Sequence, residues 1–161
     1  MSNSTSREHD LVEMAQKARE AFPHYGNCAQ ASFAVLQEEF NLDHADILKA
    51  LGPFPGIALR GETCGAVIGC LMSLGLIFGS DKLEDWWETS LPPAREFCRL
   101  FEHEYGTTAC GNLLEAKLGR KCDFTNPEDV AQWVSAGGPE VCTQVVANAV
   151  QLAGAIITRK S

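Results

Sequence analysis

The chain has 161 residues and a mass of 17.5 kDa, which is the size of one domain with a sizeable core. Apolar residues make up 45% of it and charged residues 21%, a composition that excludes a disordered chain. Its 21 acidic residues outnumber the 13 Lys and Arg, giving a net charge of −8. An acidic surface repels phosphate backbones, so we expect no nucleic-acid partner.

The sequence predicts a succession of helices along the chain. Residues 1–6 are polar and are expected to be disordered. Beyond them, apolar side chains recur every three or four residues, and capping residues, Gly or Pro lie at most segment ends. Asn27, for example, is a good N-cap, and Gly106 is a good C-cap. The predicted helical segments are 7–22, 28–40, 44–51, 64–78, 83–89, 92–105, 109–118, 127–133 and 139–158.

The sequence predicts an all-α fold, a single compact helical bundle of six to eight helices over residues 7–161, because no run alternates as a strand does. Two uncharged stretches, 63–80 and 141–158, reach the lower length limit of a membrane span. The first contains four glycines and the second several polar residues, and neither has aromatic belts at both ends. We therefore expect buried core helices and no membrane span.

Seven cysteines stand out in this composition. They are too dilute for a disulfide-stapled secreted scaffold, and their odd number prevents full pairing. The first residues show no apolar core behind a basic start, so no secretory leader is expected. A cytoplasmic location follows as the expectation, and there cysteines serve core packing, metal ligation or redox chemistry. The seven are Cys28, Cys64, Cys70, Cys98, Cys110, Cys122 and Cys142.

Four of them, Cys28, Cys64, Cys110 and Cys142, fall in the first turn of a predicted helix. Backbone N–H groups there have no intrahelical acceptor, and together with the helix dipole they stabilise a thiolate. We therefore predict that these four have lowered pKa values and converge on one site. The remaining three differ, since two lie inside apolar stripes and one lies in a polar loop.

Gly61, Gly65 and Gly69 recur every four residues and leave a bare ridge on one helix face. The ridge has two interpretations: close packing against a neighbouring helix, or close approach of a cofactor to Gly65 and Gly69.

The segments Asn27-Cys28-Ala29-Gln30 and Cys64-Gly65-Ala66-Val67-Ile68-Gly69 carry a resemblance. The chain resembles the redox-active family known for a C-G-A-x-x-G motif and four characteristic cysteines, over about residues 25–150. Cys110 and Cys142 match the last two cysteines of that pattern. A similar domain occurs in split-Soret cytochrome c, although this chain has no C-x-x-C-H haem attachment motif. The resemblance implies redox chemistry and an iron–sulfur centre.

Three hypotheses follow for the four cysteines. In the first they hold an iron–sulfur cluster or another metal ion for electron transfer, as thiolates suit these groups. Their spacings of 36, 46 and 32 residues include no C-x-x-C pair, which disfavours a zinc ribbon. In the second, two of them cycle between dithiol and disulfide, with Cys64 as the nucleophile. In the third the domain is non-catalytic, and the cysteines fill its core or close a structural metal site.

Other residues receive weaker expectations. His24 lies four residues before Cys28 and is interpreted as a surface histidine, with metal tuning as the alternative. Trp86 and Trp87 are expected to anchor the core, with a partner surface as the alternative. No acid–base set accompanies the cysteines, so we expect electron transfer with a redox partner protein rather than substrate turnover.

Overall fold

The structure is a computed structural model that describes residues 2–160, with side chains described from residue 7 onwards. Its elements follow in chain order. They are α1 (Ser2–Tyr25), α2 (Cys28–Glu39), α3 (Ala45–Ala50), α4 (Gly56–Leu59), α5 (Gly65–Phe78), α6 (Leu83–Thr89), α7 (Leu91–Tyr105), α8 (Cys110–Leu118), α9 (Pro127–Ser135) and α10 (Gly138–Lys160).

The predicted all-α fold is confirmed. Within residues 2–160 the chain forms nine right-handed helices, and its fourth element, α4, is a left-handed turn. No strand occurs in that range, and an isolated bridge between Thr63 and Ala109 is the one sheet-like contact.

Helix α1 differs from its predicted bounds at both ends. It begins at Ser2 and continues through Pro23 to Tyr25, so the expected end at Phe22 is wrong. A proline inside a helix removes one backbone hydrogen bond but does not by itself force the chain out of the helix. Gly26, at φ +61°, terminates the helix instead, and its N–H donates to the Phe22 carbonyl.

Helix α2 begins as predicted. The Asn27 side chain accepts hydrogen bonds from the Ala29 and Gln30 backbone amides, which satisfies two of the free donors of the first turn. Asn27 also donates through Nδ2 to the Gly52 carbonyl at 2.9 Å, and Gln30 donates through Nε2 to the Leu48 carbonyl at 3.1 Å. These two hydrogen bonds connect the start of α2 to α3 and to the residues that follow it.

The segment after α3 turns in an unusual way. Gly56, Ile57, Ala58 and Leu59 all have positive φ values, between 49° and 60°, so α4 winds in the left-handed sense. Such values are uncommon outside glycine, and they are strained for the β-branched Ile57. The sequence predicted no helical segment between residues 51 and 64 and did not predict this turn.

Helix α10 is the centre of the core and packs against α1, α2, α5 and α7. Val146, Ala149, Val150, Ala153 and Ile156 are each fully buried along its inner face. Helix α10 is long and apolar enough to cross a membrane. The same is true of α5 and residues 83–105 if they are counted as one span, although the chain bends by 120° between the two parts. Half of the most apolar window of α10 is buried inside the protein, as in a core helix of a soluble protein.

Helix α6 lies on α7 with its two tryptophans in edge-to-face contact, ring centroids 5.5 Å apart. Trp87 is 57% exposed and lies under the Arg95 guanidinium, 5.0 Å from its ring centroid. The expectation that both tryptophans anchor the core is therefore wrong for Trp87.

Candidate functional site

Backbone hydrogen bonds bring the starts of α5 and α8 together. The Cys64 N–H donates to the Thr108 carbonyl at 2.8 Å, and the Cys110 N–H donates to the Glu62 carbonyl at 2.6 Å. These bonds flank the bridge between Thr63 and Ala109. Two cysteines that are far apart in sequence thus lie side by side at two helix starts.

The four cysteines singled out in the sequence surround one small cavity of about 20 Å³. Its remaining walls are the apolar side chains of Leu113, Leu114 and Val145. This volume corresponds to roughly one water molecule. The structure therefore brings together Cys28, Cys64, Cys110 and Cys142.

Three of the four lie at a helix start. Cys28 and Cys110 are the first residues of α2 and α8, and Cys64 is the N-cap of α5. Cys142 is different, because α10 begins at Gly138 and not at Pro139, and Val141 already bonds to the Gly137 carbonyl. The expectation of a first-turn position is thus wrong for Cys142, which lies at the beginning of the second turn.

Cys64 is the sulfur that the site stabilises as a thiolate. Its pKa is lowered, first by a hydrogen bond from the Cys28 thiol and then by the backbone amides of Ala66 and Val67, against the effect of burial. Cys64 makes no cap hydrogen bond of ordinary length, so the amides act chiefly through their dipoles. The same hydrogen bond, with burial and the nearby charge of Cys64, raises the pKa of Cys28 well above its usual range.

The other two cysteines are protonated thiols in this state. Burial and the charge of Cys64 raise the pKa of Cys110 to about 12. The same two causes, in the same order, raise the pKa of Cys142. The predicted lowering of all four pKa values is therefore wrong for three of them. The hydrogen bond with Cys64 is the largest cause at Cys28, and at Cys110 and Cys142 desolvation is the largest cause and outweighs the helix amides. Cys64 is thus the one cysteine of the four whose pKa is lowered.

Gly65 and Gly69 allow α5 to press against α2. A Cβ on Gly65 would lie 2.5 Å from the Cys28 Sγ, and a Cβ on Gly69 would lie 2.4 Å from the Ala29 carbonyl oxygen. Real Cβ atoms do not approach so closely, so both positions require glycine for packing. Both glycines thus act on the site through α2, which occupies the space beside them.

The left-handed turn α4 covers another side of the site. Gly56 is buried, and a Cβ at this position would lie 3.5 Å from the Cys110 Sγ. The Gly56 carbonyl accepts hydrogen bonds from the Arg60 and Glu62 amides, which fixes the turn to the chain entering α5. Sequence reasoning missed Gly56 as a site residue, although the Pro-Gly pair at 55–56 was the available signal.

The remaining cysteines lie outside the cavity. Cys70 is fully buried in the core, where burial raises its pKa, and it packs as a small hydrophobe as expected. Cys98 is half-buried on α7, and Cys122 lies in the loop after α8. His24 is exposed and makes an edge-to-face contact with Tyr25, in line with its interpretation as a surface histidine.

Whether a metal ion suits this site depends on its donor atoms and on the volume of its cavity. Within the described part of the chain, no group of three or more His, Cys, Asp or Glu side chains is already arranged as a set of metal ligands. The donor chemistry nevertheless fits, because four sulfurs are the ligands that iron and zinc take in proteins. The cavity volume of about 20 Å³ is too small for a cluster of several iron and sulfide atoms unless the cavity walls move.

Comparison with known proteins gave one match. The family model described as "Putative redox-active protein (C_GCAxxG_C_C)" matches residues 26–156. The chain belongs to this family. The C_GCAxxG_C_C name writes the central motif as G-C-A-x-x-G, whereas residues 64–69 here read Cys-Gly-Ala-Val-Ile-Gly. Neither the curated proteins nor the solved structures contain a match to this chain.

Proposed function

We propose that this member of the C_GCAxxG_C_C family transfers electrons through an iron centre of iron–sulfur type that Cys28, Cys64, Cys110 and Cys142 ligate. The observation that carries the proposal is that all four sulfurs surround one apolar cavity. A dithiol couple would need only two of them. Bound iron supplies a reversible one-electron couple.

The surroundings of the sulfurs suit a negatively charged centre. Four thiolates and one iron ion carry a net negative charge, which an apolar cavity alone would not tolerate. Cys28, Cys64 and Cys110 lie at the starts of α2, α5 and α8, so the positive dipole ends of these three helices are close to the cavity. In known centres, hydrogen bonds to the sulfurs and burial set the reduction potential.

Burial favours electron transfer over chemistry on a substrate. Cys64 is only 6% exposed, and the cavity walls beside the cysteines are leucine and valine side chains. No His, Asp, Glu or Lys side chain lines this cavity to move a proton. The residues of this chain would thus hold the thiolates, exclude water and release the protons of three thiols when iron binds.

The test is anaerobic purification followed by iron and acid-labile sulfide analysis. We expect a coloured protein with about one iron per chain and sulfur-to-iron charge-transfer absorption. Single substitutions to Ser at positions 28, 64, 110 and 142 should each remove most of the iron. Cys98→Ser and Cys122→Ser are the matched controls and should keep it.

Two results would decide against this form of the centre. Labile sulfide at the same molar amount as iron would indicate a cluster and a cavity that expands. A colourless anaerobic protein with neither iron nor zinc would exclude the metal centre altogether.

A thiol–disulfide couple is the second candidate, because Cys28 and Cys64 line the same cavity and each acts on the pKa of the other, raising that of Cys28 and lowering that of Cys64. In this reaction the Cys64 thiolate attacks a disulfide of a partner molecule, and one partner sulfur leaves. Cys28 then gives up its proton and attacks the Cys64 sulfur, so that a Cys28–Cys64 disulfide forms and the partner departs as a dithiol. Two electrons pass to the partner.

Thiol counting separates the two candidates. If the couple operates, mild oxidation of metal-free protein should remove two thiols per chain, and Cys28→Ser or Cys64→Ser should abolish this loss. Cys110→Ser and Cys142→Ser should leave it intact. Metal-free protein that keeps all its thiols under mild oxidation would contradict the couple.

A further inference from the structure

A second cavity of about 390 Å³ lies between α7, α8 and α10. Its volume is within the range of small-molecule sites. Val141 and Val145 of α10 and the ring of Tyr105 give it apolar walls. The proposed iron centre makes no direct use of this cavity.

Two hydrogen-bond donors that line this cavity, the Tyr105 hydroxyl and the solvent-exposed Lys117 ammonium, have no acceptor on the described residues. Asn148 donates through Nδ2 to the Tyr105 hydroxyl oxygen at 2.6 Å, and Gln144 donates to the Asn148 amide oxygen at 2.7 Å. The Tyr105 hydroxyl hydrogen therefore has no acceptor among the described residues. The Lys117 ammonium lies 5.4 Å from the centre of the Tyr105 ring and pairs with no described carboxylate.

The cavity shares a wall with the cysteine site. Val145 lines both cavities, so one side chain separates a ligand in the larger cavity from the space among the sulfurs. Tyr105 is 9% exposed, and the charge of Cys64 acts on its hydroxyl. A ligand bound here would lie close enough to exchange electrons with the centre.

The charges of the cavity select the class of ligand. Glu104 and Glu140 line it together with Lys117, and the whole chain carries −8, so an anion gains no favourable field. Apolar walls and two unused donors suit a neutral ring with carbonyl oxygens. We propose that this cavity binds a quinone as the electron acceptor of the cysteine centre, a role that rests on the proposed function.

The electron balance requires two reduced centres for each quinone. Each centre gives one electron and becomes oxidised, and two protons from water reach the two carbonyl oxygens to form the hydroquinone. Tyr105 and Lys117 would donate hydrogen bonds to the carbonyl oxygen that they face. Dithionite supplies the electrons in the experiment.

Binding is measured first, on metal-free protein, by calorimetry with duroquinone, whose fully substituted ring does not add thiols. We expect saturable one-to-one binding that Tyr105→Phe and Lys117→Met each weaken about fivefold, the effect of one lost hydrogen bond. Lys121→Met is the matched control, since Lys121 pairs with Glu115 and does not line this cavity. No binding, equal binding by the variants, or equally tight binding of benzoate would overturn the quinone site.

Electron transfer is measured second, by mixing dithionite-reduced, iron-loaded protein with duroquinone. We expect reoxidation of the centre that is about fivefold slower in both variants below saturation. A quinone that binds but does not reoxidise the centre would overturn its role as acceptor. Failure of the chain to bind iron would contradict the proposed function alone, since the calorimetric result does not depend on iron.

Discussion

At the scale of single residues, two opposing effects decide the state of each sulfur. Helix amides lower the pKa of a thiol at a helix start, and burial raises it. Cys64 gains both the amides of α5 and a hydrogen bond from Cys28, so the lowering prevails. At Cys110 burial prevails although the residue begins α8. Position in a helix is therefore insufficient to identify a thiolate.

Tyr105 gives a pH-dependent prediction at this scale. Burial, opposed in part by the Asn148 hydrogen bond, raises the pKa of Tyr105 to about 12. The unfolded chain loses this proton near pH 10, so the contribution of Tyr105 to stability is full below pH 10 and is lost as the pH rises towards 12. A Tyr25→Phe background, titrated by absorbance at 295 nm, should show the late ionisation. Asn148→Leu should raise the pKa further, and ionisation near 10 would contradict the assignment.

At the scale of elements, glycines set how closely α5 approaches α2. Gly65 and Gly69 lie against α2, whereas Gly75 lies on the exposed side of the same helix with nothing within 4 Å of its Cβ position. All three residues lie in one helix, Gly65 at its first position and the other two inside it, and they differ in what packs against them. Substitutions at these positions therefore distinguish the effect of helix propensity on stability from the effect of packing.

We expect Gly65→Ala to lower the free energy of unfolding by about 1–3 kcal/mol, because its methyl group would collide with the Cys28 sulfur. Gly75→Ala is the control and should raise that free energy by up to about 1 kcal/mol, since alanine favours the helix. Urea unfolding followed by circular dichroism measures both. Equal effects of the two substitutions would show that α2 and α5 do not pack as described.

At the scale of the whole molecule, α10 connects the separate helices into one core. Ile156 is fully buried on α10, whereas Val134, at the end of α9, is 53% exposed. Ile156→Ala should cost about 2–5 kcal/mol of unfolding free energy by leaving a cavity. Val134→Ala should change it by less than about 0.5 kcal/mol. A single cooperative urea transition is expected for both variants, and a small effect at Ile156 would contradict a shared core.

Local signals made much of this fold predictable. Asn27 and Gly106 cap their helices as the sequence indicated. The convergence of the four cysteines was expected from their predicted helix-start positions, although Cys142 lies in the second turn of α10. Long-range contacts were not: the bridge between Thr63 and Ala109 joins distant segments, and no local pattern encodes it. The left-handed turn α4 likewise depends on what packs around it.

That bridge has a consequence for synthesis on the ribosome. It closes a long loop of chain before Cys64 can lie beside Cys110, and Cys142 follows still later in the sequence. Closing such a loop costs conformational entropy that only the completed core offsets. The nascent chain therefore lacks the full set of four sulfurs until Cys142 has emerged from the ribosome and joined the core.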